Sequence, residues 1–253
     1  MADQLLLSTD DRGVTTLTLN RPERHNAFDD QLIEALLAAL RQIERDNSVR
    51  VVVLTGTGKS FSSGADLDWM RGMANYDEVT NRKDAQQLAA LLEALNGLNR
   101  PTVARVNGPA FGGAIGLIAC CDIVVTSERA VFALTEVRLG LAPAVISPYV
   151  IAAIGSRQAR RLFLNAERIG AEEAKSMGLV HYVVADEALD HSVETQVGSL
   201  LEAGPNALRA CKRLISADNA DVVELIAELR VSPEGQEGMA AFFEKRKPSW
   251  TKS

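Results

Sequence analysis

The feature that most constrains the fold is a short, unbroken apolar run, RVVVLT, at residues 50–55. Gly56 and Gly58 bound the run, and it is too short for a typical helix, so it predicts a strand buried on both faces. Apolar alternation over 14–19 predicts an earlier strand, and an apolar stripe at helical spacing predicts an amphipathic helix over 28–45. Further strands are predicted at 102–106, 122–126 and 179–184. This alternation of strands and helices predicts an α/β fold.

Charge and hydropathy exclude several classes of partner. The chain has 253 residues with 27 basic and 33 acidic side chains, a net charge of −6, so its overall charge does not favour nucleic acid or anionic membranes. Its most apolar stretch, 108–121, is shorter than the ~20 residues that a membrane-spanning helix needs. The first residues, MADQLLLSTDD, show no secretory or organellar targeting pattern, so we expect a cytoplasmic protein.

The order of the predicted elements divides the chain into a core and a helical region. All predicted strands lie in residues 1–190, whereas helical patterns such as 221–231 and 239–245 follow. We therefore predict a core domain with the functional site over 1–190 and a helical oligomerisation region over 191–253. The polar segment 68–81, with apolar side chains interspersed, predicts a mobile flap or a pocket wall.

Several familiar motifs fail on spacing. Residues 58–60 read GKS like the end of a phosphate-binding loop, but that loop needs a glycine where Val53 stands. The glycine cluster at 112–116 lacks the order of a dinucleotide site, and the histidines lack the spacing of zinc ligands. Three cysteines without disulfide or metal-site spacing are expected in the core: Cys120, Cys121 and Cys211. The sequence therefore predicts no metal site.

Three separated segments together suggest an active site: FSSGAD at 61–66, NGPAFGGAIG at 107–116 and FALTEVRLG at 132–140. Taken singly, each is compatible with an ordinary turn, and Asp66 with a helix cap. Taken together, Ala65 after a strand and Gly113 at a helix start offer two free backbone N–H groups, which can form an oxyanion hole. Glu136 lies in an apolar stretch, where burial would raise its pKa toward that of a general acid or base.

The sequence resembles the crotonase superfamily, also called the enoyl-CoA hydratase/isomerase family. The blocks that carry the resemblance are NRPERHNA at 20–27, FSSGADL at 61–67, GPAFGGAIGLIACCD at 108–122, FALTEVRLGLAP at 132–143 and EGMAAFFEKRKPSW at 237–250. The resemblance implies a spiral of repeated ββα units followed by a C-terminal helical trimerisation region. It further implies a homotrimer, or two trimers stacked as a hexamer, and an acyl-CoA thioester substrate, with no cofactor beyond the CoA of that substrate.

The resemblance also assigns roles to individual residues. Ala65 and Gly113 would donate hydrogen bonds to the thioester carbonyl oxygen, and Glu136 would move a proton at the acyl chain. Arg24 would approach the CoA phosphates, and Trp69 would line the acyl pocket or pack beneath it. The other positions expected at substrate or CoA are Ala27 and Asp66 near the adenine, Ser63, Leu67, Gly112, Leu139 and Pro143, and Phe242 and Lys245, often across a subunit boundary.

One position departs from the family pattern. The well-known hydratases hold their catalytic water between two glutamates, and the first of these aligns with Gly116, which leaves Glu136 alone. Segments 112–117, 141–149 and 230–238 nevertheless resemble the bacterial branch of 3-methylglutaconyl-CoA and isohexenylglutaconyl-CoA hydratases, which also lacks this glutamate.

Substrates of that branch carry a carboxylate on the acyl chain, and a buried carboxylate requires a cation. Arg71 and Arg138 are the candidates, although a solvated or structural role is the simpler interpretation of each. Three functions remain open at this point. They are hydration of a branched, carboxylated 2-enoyl-CoA, Δ3,Δ2-enoyl-CoA isomerisation by Glu136 alone, and acyl-CoA binding without catalysis.

Overall fold

The computed structural model describes residues 3–216 and 221–251. The strands in this part of the chain are β1 Leu5–Thr9, β2 Val14–Leu19, β3 Val51–Gly56, β4 Thr102–Val106, β5 Ala110–Phe111, β6 Ile123–Ser127, β7 Val131–Ala133, β8 Ile169–Gly170 and β9 Tyr182–Val184. The α-helices are α1 Asp30–Arg45, α2 Leu67–Met73, α3 Glu78–Asn96, α4 Gly113–Ala119, α5 Ser147–Asn165, α6 Ala171–Ser176, α7 Leu189–Glu202, α8 Pro205–Ser216, α9 Val222–Val231 and α10 Pro233–Phe243. Single 3₁₀ turns cover Pro22–Arg24, Glu136–Leu139 and Asp186–Ala188.

The main sheet has the strand order β1-β2-β3-β4-β6-β9. β1 is antiparallel to β2, and the other neighbouring strands are parallel. Parallel sheets are covered on both faces, and all residues of β3 are accordingly buried. On one face, the main core takes in Leu32, Leu92 and Ile118 of α1, α3 and α4. A smaller core places Val193 and Val197 of α7 against the strand valines.

A second, small sheet has the order β5-β7-β8, with β5 parallel to β7 and β7 antiparallel to β8. An isolated bridge between Ser62 and Ala110 joins the chain after β3 to this sheet. The sequence predicts none of these three strands, because two or three residues are too few to establish an alternating pattern. This sheet brings the segments 61–66, 107–116 and 132–140 side by side.

Most of the predicted elements are confirmed with small shifts at their ends. The strand predicted at 179–184 is wrong in its first half, because Leu179 and Val180 bond through their N–H groups to the carbonyl of Ala174 and continue the turn after α6. The segment 68–81, expected to be a mobile flap or a pocket wall, is mostly helical, and its role stays a prediction. It holds most of α2 and the first turn of α3.

The C-terminal part of the described chain is helical, as predicted, from α7 to α10. α7 begins at Leu189 and packs on the sheet, so it spans the division predicted at residue 190, which stays a prediction. Cys120 and Cys121 are buried as expected, but Cys211 is exposed, because it lies on the outer side of α8. Among the described residues, no helix combines the length and apolar character needed to cross a membrane.

Candidate active site

The small sheet fixes the relative position of the three motif segments through backbone hydrogen bonds. The N–H of Phe111 donates to Ser62 O at 3.0 Å, and the N–H of Gly112 donates to Ala133 O at 3.0 Å. The register of β5 with β7 places Phe111 opposite Ala133. Glu136 follows three residues later, so the same ladder that holds Gly112 also holds the carboxylate segment.

Phe28 connects the two predicted oxyanion donors. Its N–H donates to Gly64 O at 2.9 Å, and its carbonyl accepts from Asp66 N at 2.9 Å, which places Ala65 directly beside it. Its ring contacts Gly113 so closely that a Cβ at Gly113 would lie 2.9 Å from the ring. The Phe28 side chain therefore packs against Gly113 while its backbone holds the Ala65 segment.

The two N–H groups are unbonded in the described chain. Within residues 3–216 and 221–251, neither Ala65 N nor Gly113 N has an acceptor, whereas Gly64 N donates to Ser62 Oγ at 3.2 Å. Gly113 is the first residue of α4, so its N–H has no intrahelical acceptor. Two free donors held by neighbouring segments are the arrangement that an oxyanion hole requires.

Two glycines are required by the local backbone. Gly64 has φ +84°, and a Cβ there would lie 2.7 Å from Phe111 O. Gly112 has φ +54°, and a Cβ there would lie 3.3 Å from Glu136 Oε1. Side chains other than glycine are disfavoured at such φ values, and here they would also separate the segments. The glycines thus allow the donor loops and the carboxylate to approach each other.

Glu136 begins the 3₁₀ turn after β7 and is partly buried. Its Oε2 is shielded from solvent and has no hydrogen-bond partner among the described residues. Burial raises the pKa of the Glu136 carboxyl, since the charged form loses water. An unpartnered carboxyl with a raised pKa is suited to accept and return a proton.

Gly116, where the family pattern has its first glutamate, has no room for a side chain. A Cβ at Gly116 would lie 2.4 Å from Ile146 Cγ2 and 3.4 Å from Leu92 Cδ2. Ile146 is itself buried just before α5. The space beside α4 is therefore filled by an aliphatic side chain, and Glu136 has no second carboxylate opposite it at position 116.

A buried ion-pair network lies beside the donor loop. Asp66 caps α2 by accepting from Asp68 N at 2.8 Å, and it pairs with Arg21 at 2.9 Å and Arg24 at 3.0 Å. Burial would raise the pKa of Asp66, but these hydrogen bonds and charges outweigh it and lower the pKa. Arg24 also pairs with Asp68 at 2.8 Å and stays half exposed, so further N–H groups of its guanidinium face solvent.

The remaining predicted positions differ in their exposure to solvent. Ala27 and Pro143 are buried, Trp69 packs partly buried against the main core, and Ser63 and Gly112 are partly exposed. Leu67 and Leu139 are 70% and 60% exposed. The contact of Trp69 with the core favours the interpretation that it packs beneath the site.

The chain is similar in sequence and fold to known proteins. Residues 9–253 match the enoyl-CoA hydratase/isomerase family. The 2,3-dehydroadipyl-CoA hydratase of Escherichia coli is 34% identical over 98% of each chain. An enoyl-CoA hydratase from Shewanella pealeana superposes with a TM-score of 0.93 at 42% identity, over 98% of this chain and 96% of that one. Pseudomonas aeruginosa AtuE superposes at 0.94 with 36% identity, over 99% and 100%.

The chain belongs to the enoyl-CoA hydratase/isomerase family. It is thus an enzyme of the crotonase superfamily, and its mixed α/β fold with a C-terminal helical region is confirmed. The coverage runs over nearly the whole of each relative, so the family assignment applies to the full described chain.

Two positions expected at CoA in this crotonase fold lie apart from the loops above. Phe242 lies in the last turn of α10 and is 77% exposed. Lys245 lies just after this helix and has φ +54°. α10 packs mainly against α9. The placement of Phe242 and Lys245 at CoA stays a prediction.

Three residues that support this enoyl-CoA hydratase/isomerase site are not predicted from the sequence. Phe28, Ile146 and Arg21 each hold a functional segment in place without presenting a reactive group. Phe28 directly follows the NRPERHNA block, which was a signal for its position. Arg21 lies inside that block and Ile146 inside the segment 141–149, but nothing in the sequence shows that Arg21 pairs with Asp66 or that Ile146 fills the space at Gly116.

Proposed function

We propose that the chain adds water reversibly to the double bond of a 2-enoyl-CoA thioester. The observation that carries this proposal is the unpartnered Glu136 carboxyl next to Gly112, on the same small sheet that holds the free N–H groups of Ala65 and Gly113. Family membership supports the reaction class, since the relatives include enzymes named as hydratases.

The reaction uses one carboxylate and two backbone donors. Glu136 takes a proton from water as the oxygen bonds to C3 of the substrate, and the π electrons move onto the thioester oxygen as an enolate. Ala65 N–H and Gly113 N–H stabilise that oxyanion, and one such donor is worth roughly 2.7 to 4 kcal/mol. The enolate then takes the proton back from Glu136 at C2, which completes the addition. The reverse sequence eliminates water.

We propose a branched, carboxylated acyl chain such as 3-methylglutaconyl as the substrate. Ile146 excludes a second glutamate from position 116, so a carboxylate on the substrate is the available second group for placing water. The E. coli relative is named for 2,3-dehydroadipyl-CoA, whose acyl group ends in a carboxylate. Arg138 is exposed two residues after Glu136 and bonds only to Ala166 O among the described residues, whereas Arg71 pairs with Asp68. Arg138 is therefore the preferred cation.

Two alternative functions follow from the same single carboxylate. A Δ3,Δ2-enoyl-CoA isomerase needs only one base to move a proton between carbons, and one relative, from E. coli, is named 1,2-epoxyphenylacetyl-CoA isomerase. The other alternative is an acyl-CoA-binding homologue without turnover. The packing of Ile146 against Gly116 supports both alternatives, because it leaves no room for a second glutamate at position 116.

The assembly and location of the enzyme are further proposals. We propose that residues 191–253 support a homotrimer or a dimer of trimers in the cytoplasm, with Phe242 and Lys245 reaching the CoA of a neighbouring subunit. Exposed apolar side chains on the last two helices support an interface there, including Val222, Val223, Val231, Phe242 and Phe243. We expect a light-scattering mass of three or six chains, and a monomer would contradict the proposal. We propose no metal and no cofactor beyond substrate CoA.

The deciding experiment follows the conjugated enoyl-thioester absorbance with crotonyl-CoA, 3-methylcrotonyl-CoA and 3-methylglutaconyl-CoA in parallel. We expect selective loss of the 3-methylglutaconyl-CoA signal, abolished in Glu136→Gln. Equal hydration of 3-methylcrotonyl-CoA would overturn the role of the substrate carboxylate. Appearance of conjugated product from a 3-enoyl-CoA, without hydration, would establish the isomerase. Acyl-CoA binding without any turnover, unchanged in Glu136→Gln, would establish the binding protein.

A further inference from the structure

Three arginines gather at the edge of the main sheet opposite the catalytic loops. Arg50 directly precedes β3, and Arg100 lies two residues before β4. Arg209 on α8 is close enough to both for its charge to disfavour their protonated forms. The donor loops of Ala65 and Gly113 follow β3 and β4, so this cluster lies at the other ends of the same strands.

These guanidinium groups are bonded to neutral acceptors. Within residues 3–216 and 221–251, none of the three has a carboxylate oxygen within 4.0 Å. Arg50 donates to the carbonyls of Trp250, Leu201 and Ala203 at 3.1 to 3.2 Å. Arg100 Nε donates to Val49 O at 2.8 Å. Carbonyls satisfy the N–H groups but do not neutralise the positive charge.

A buried arginine without a carboxylate partner is unusual. Arg100 is only 3% exposed, and burial and the charge of Arg209 lower its pKa by more than the nearby charges of Glu44 and Asp46 raise it. The Nε of Arg209 is shielded from solvent and has no hydrogen-bond partner in the described part of the chain. Buried charges in proteins are normally paired, and a buried N–H of a charged group is costly when it is left unbonded.

A cavity of about 370 Å³ opens beside these arginines, lined by Arg100, Arg209 and Arg213. Amide side chains of Asn47 and Asn206 also line it. The one carboxylate in its wall, Glu44, accepts from the backbone and side-chain nitrogens of Asn99 at 3.1 and 2.6 Å, and its single charge offsets only part of the positive charge of the arginines that line the cavity. The cavity therefore combines excess positive charge with hydrogen-bond donors.

We propose that this cavity binds a phosphate group. Guanidinium forks match phosphate oxygens in pairs, and a dianion offsets the charge of more than one arginine. The Asn47 and Asn206 amides can donate to the remaining oxygens. The phosphate can come from inorganic phosphate or from the phosphomonoester of a nucleotide, which share this chemistry. The site is separate from the CoA contact expected at Arg24.

The test measures thermal unfolding of the full chain with increasing inorganic phosphate, at constant ionic strength set with KCl. We expect a saturable rise in Tm for the wild type, as for any ligand that binds only the folded state. Asn206 Oδ1 lies 3.4 Å from Arg209 Nη1, so Asn206→Asp supplies an anion within the cavity. We expect Asn206→Asp to raise Tm without phosphate and to raise the phosphate Kd at least tenfold. Gln87→Glu adds the same charge at an exposed position on α3 and should change neither the Tm nor the phosphate Kd.

Further variants keep the result decisive. Arg209→Gln should also raise the phosphate Kd at least tenfold, whereas Arg24→Gln should leave it unchanged. An equal Tm rise in KCl alone would overturn the proposal, as would an unchanged response in Asn206→Asp. Loss of the response in Arg24→Gln would place the phosphate at the CoA site and would also overturn it. Adenosine 3′-monophosphate tested in parallel separates the sources: tighter binding than inorganic phosphate indicates a nucleotide, and equal binding indicates free phosphate.

Discussion

The two ends of the parallel strands use polar groups in opposite ways. At the amino ends, residues at or just before a strand bond to the backbone of a neighbour. His181, just before β9, accepts from Val124 N at 2.9 Å, and Asp122, just before β6, accepts from Thr102 N at 2.7 Å. At the carboxyl ends, backbone N–H groups of Ala65 and Gly113 are left unbonded beside the orphaned Glu136.

The difference shows where this enzyme tolerates unsatisfied groups. A polar group that is shielded from water and lacks a hydrogen-bond partner costs free energy, and a bound ligand can supply that partner. At the amino ends the backbone N–H groups are bonded instead, because side chains there accept hydrogen bonds from the first residues of neighbouring strands. The arginine cluster is the exception at that edge. The N–H groups of Arg50 and Arg100 bond to backbone carbonyls, but within the described part of the chain no carboxylate pairs with the positive charge of the cluster.

The largest effect is expected from Glu136→Gln at the carboxyl ends. Turnover should fall by about 10² to 10⁴, as is typical when a general acid–base group is removed, while acyl-CoA binding is retained. The substitution should also raise Tm at pH 7. The folded state raises the pKa of Glu136, so ionisation of this group favours the unfolded chain as the pH rises through its native pKa. Progress curves and thermal scans at pH 5 and pH 7 measure both.

The matched control is Glu128→Gln, a carboxylate on the surface turn after β6. It should leave turnover and Tm unchanged. A Glu136→Gln protein that loses stability, or that loses acyl-CoA binding, would contradict the assignment and indicate a structural role for this carboxylate.

The second effect concerns the amino ends. Arg100→Gln should lower the free energy of unfolding by roughly 1 to 3 kcal/mol, because the buried carbonyl of Val49 loses its donor. Turnover of the folded protein should stay within twofold of the wild type, since the residue lies away from the catalytic loops. Urea unfolding and steady-state kinetics at 15 °C test this, with the exposed Arg157→Gln as the control. A large fall in kcat without loss of stability would contradict the prediction that the amino ends of the strands affect stability but not turnover.

A third effect probes the packing that replaces the second glutamate. Gly116→Ala should destabilise by about 1 to 3 kcal/mol, because its Cβ overlaps Ile146 Cγ2. Ile146→Ala alone should cost about 2 to 5 kcal/mol by leaving a cavity. The double variant should be more stable than the sum of the two costs predicts, since the new methyl occupies part of the vacated space. Additive costs in urea unfolding would show that the two residues do not share this space.

Much of the fold was predictable from local pattern. The apolar run of β3 and the helical stripe of α1 encode buried elements directly, and both were identified within two residues. Ala65 and Gly113 are predicted as oxyanion donors because glycines and turns mark free N–H groups, and Glu136 as the acid/base because it lies in an apolar stretch, and these roles stay predictions.

The remainder depends on contacts between distant segments. The pairing of Ser62 with Ala110, the packing of Phe28 on Gly113 and the filling of space by Ile146 are decided by tertiary structure alone. The amino-end cluster was missed for the same reason, because Arg50, Arg100 and Arg209 are far apart in sequence and each resembles a solvated surface charge. Cys211 was misplaced because burial of a cysteine on an amphipathic helix depends on which face meets the core.

The smallest expected effect is a pH dependence at the amino ends. Val124 N donates to His181 Nδ1, which requires the neutral ring, and burial lowers the pKa of His181. The unfolded chain therefore binds this proton more readily, so the stabilisation is present above pH ~6.5 and is lost as the pH falls through the native pKa. His181→Gln should flatten the slope of Tm between pH 7 and pH 5, whereas His191→Gln, at an exposed position on α7, should keep it. An unchanged slope in His181→Gln would show that this strand start tolerates the charged ring, and that backbone satisfaction at the amino ends is not carried by His181.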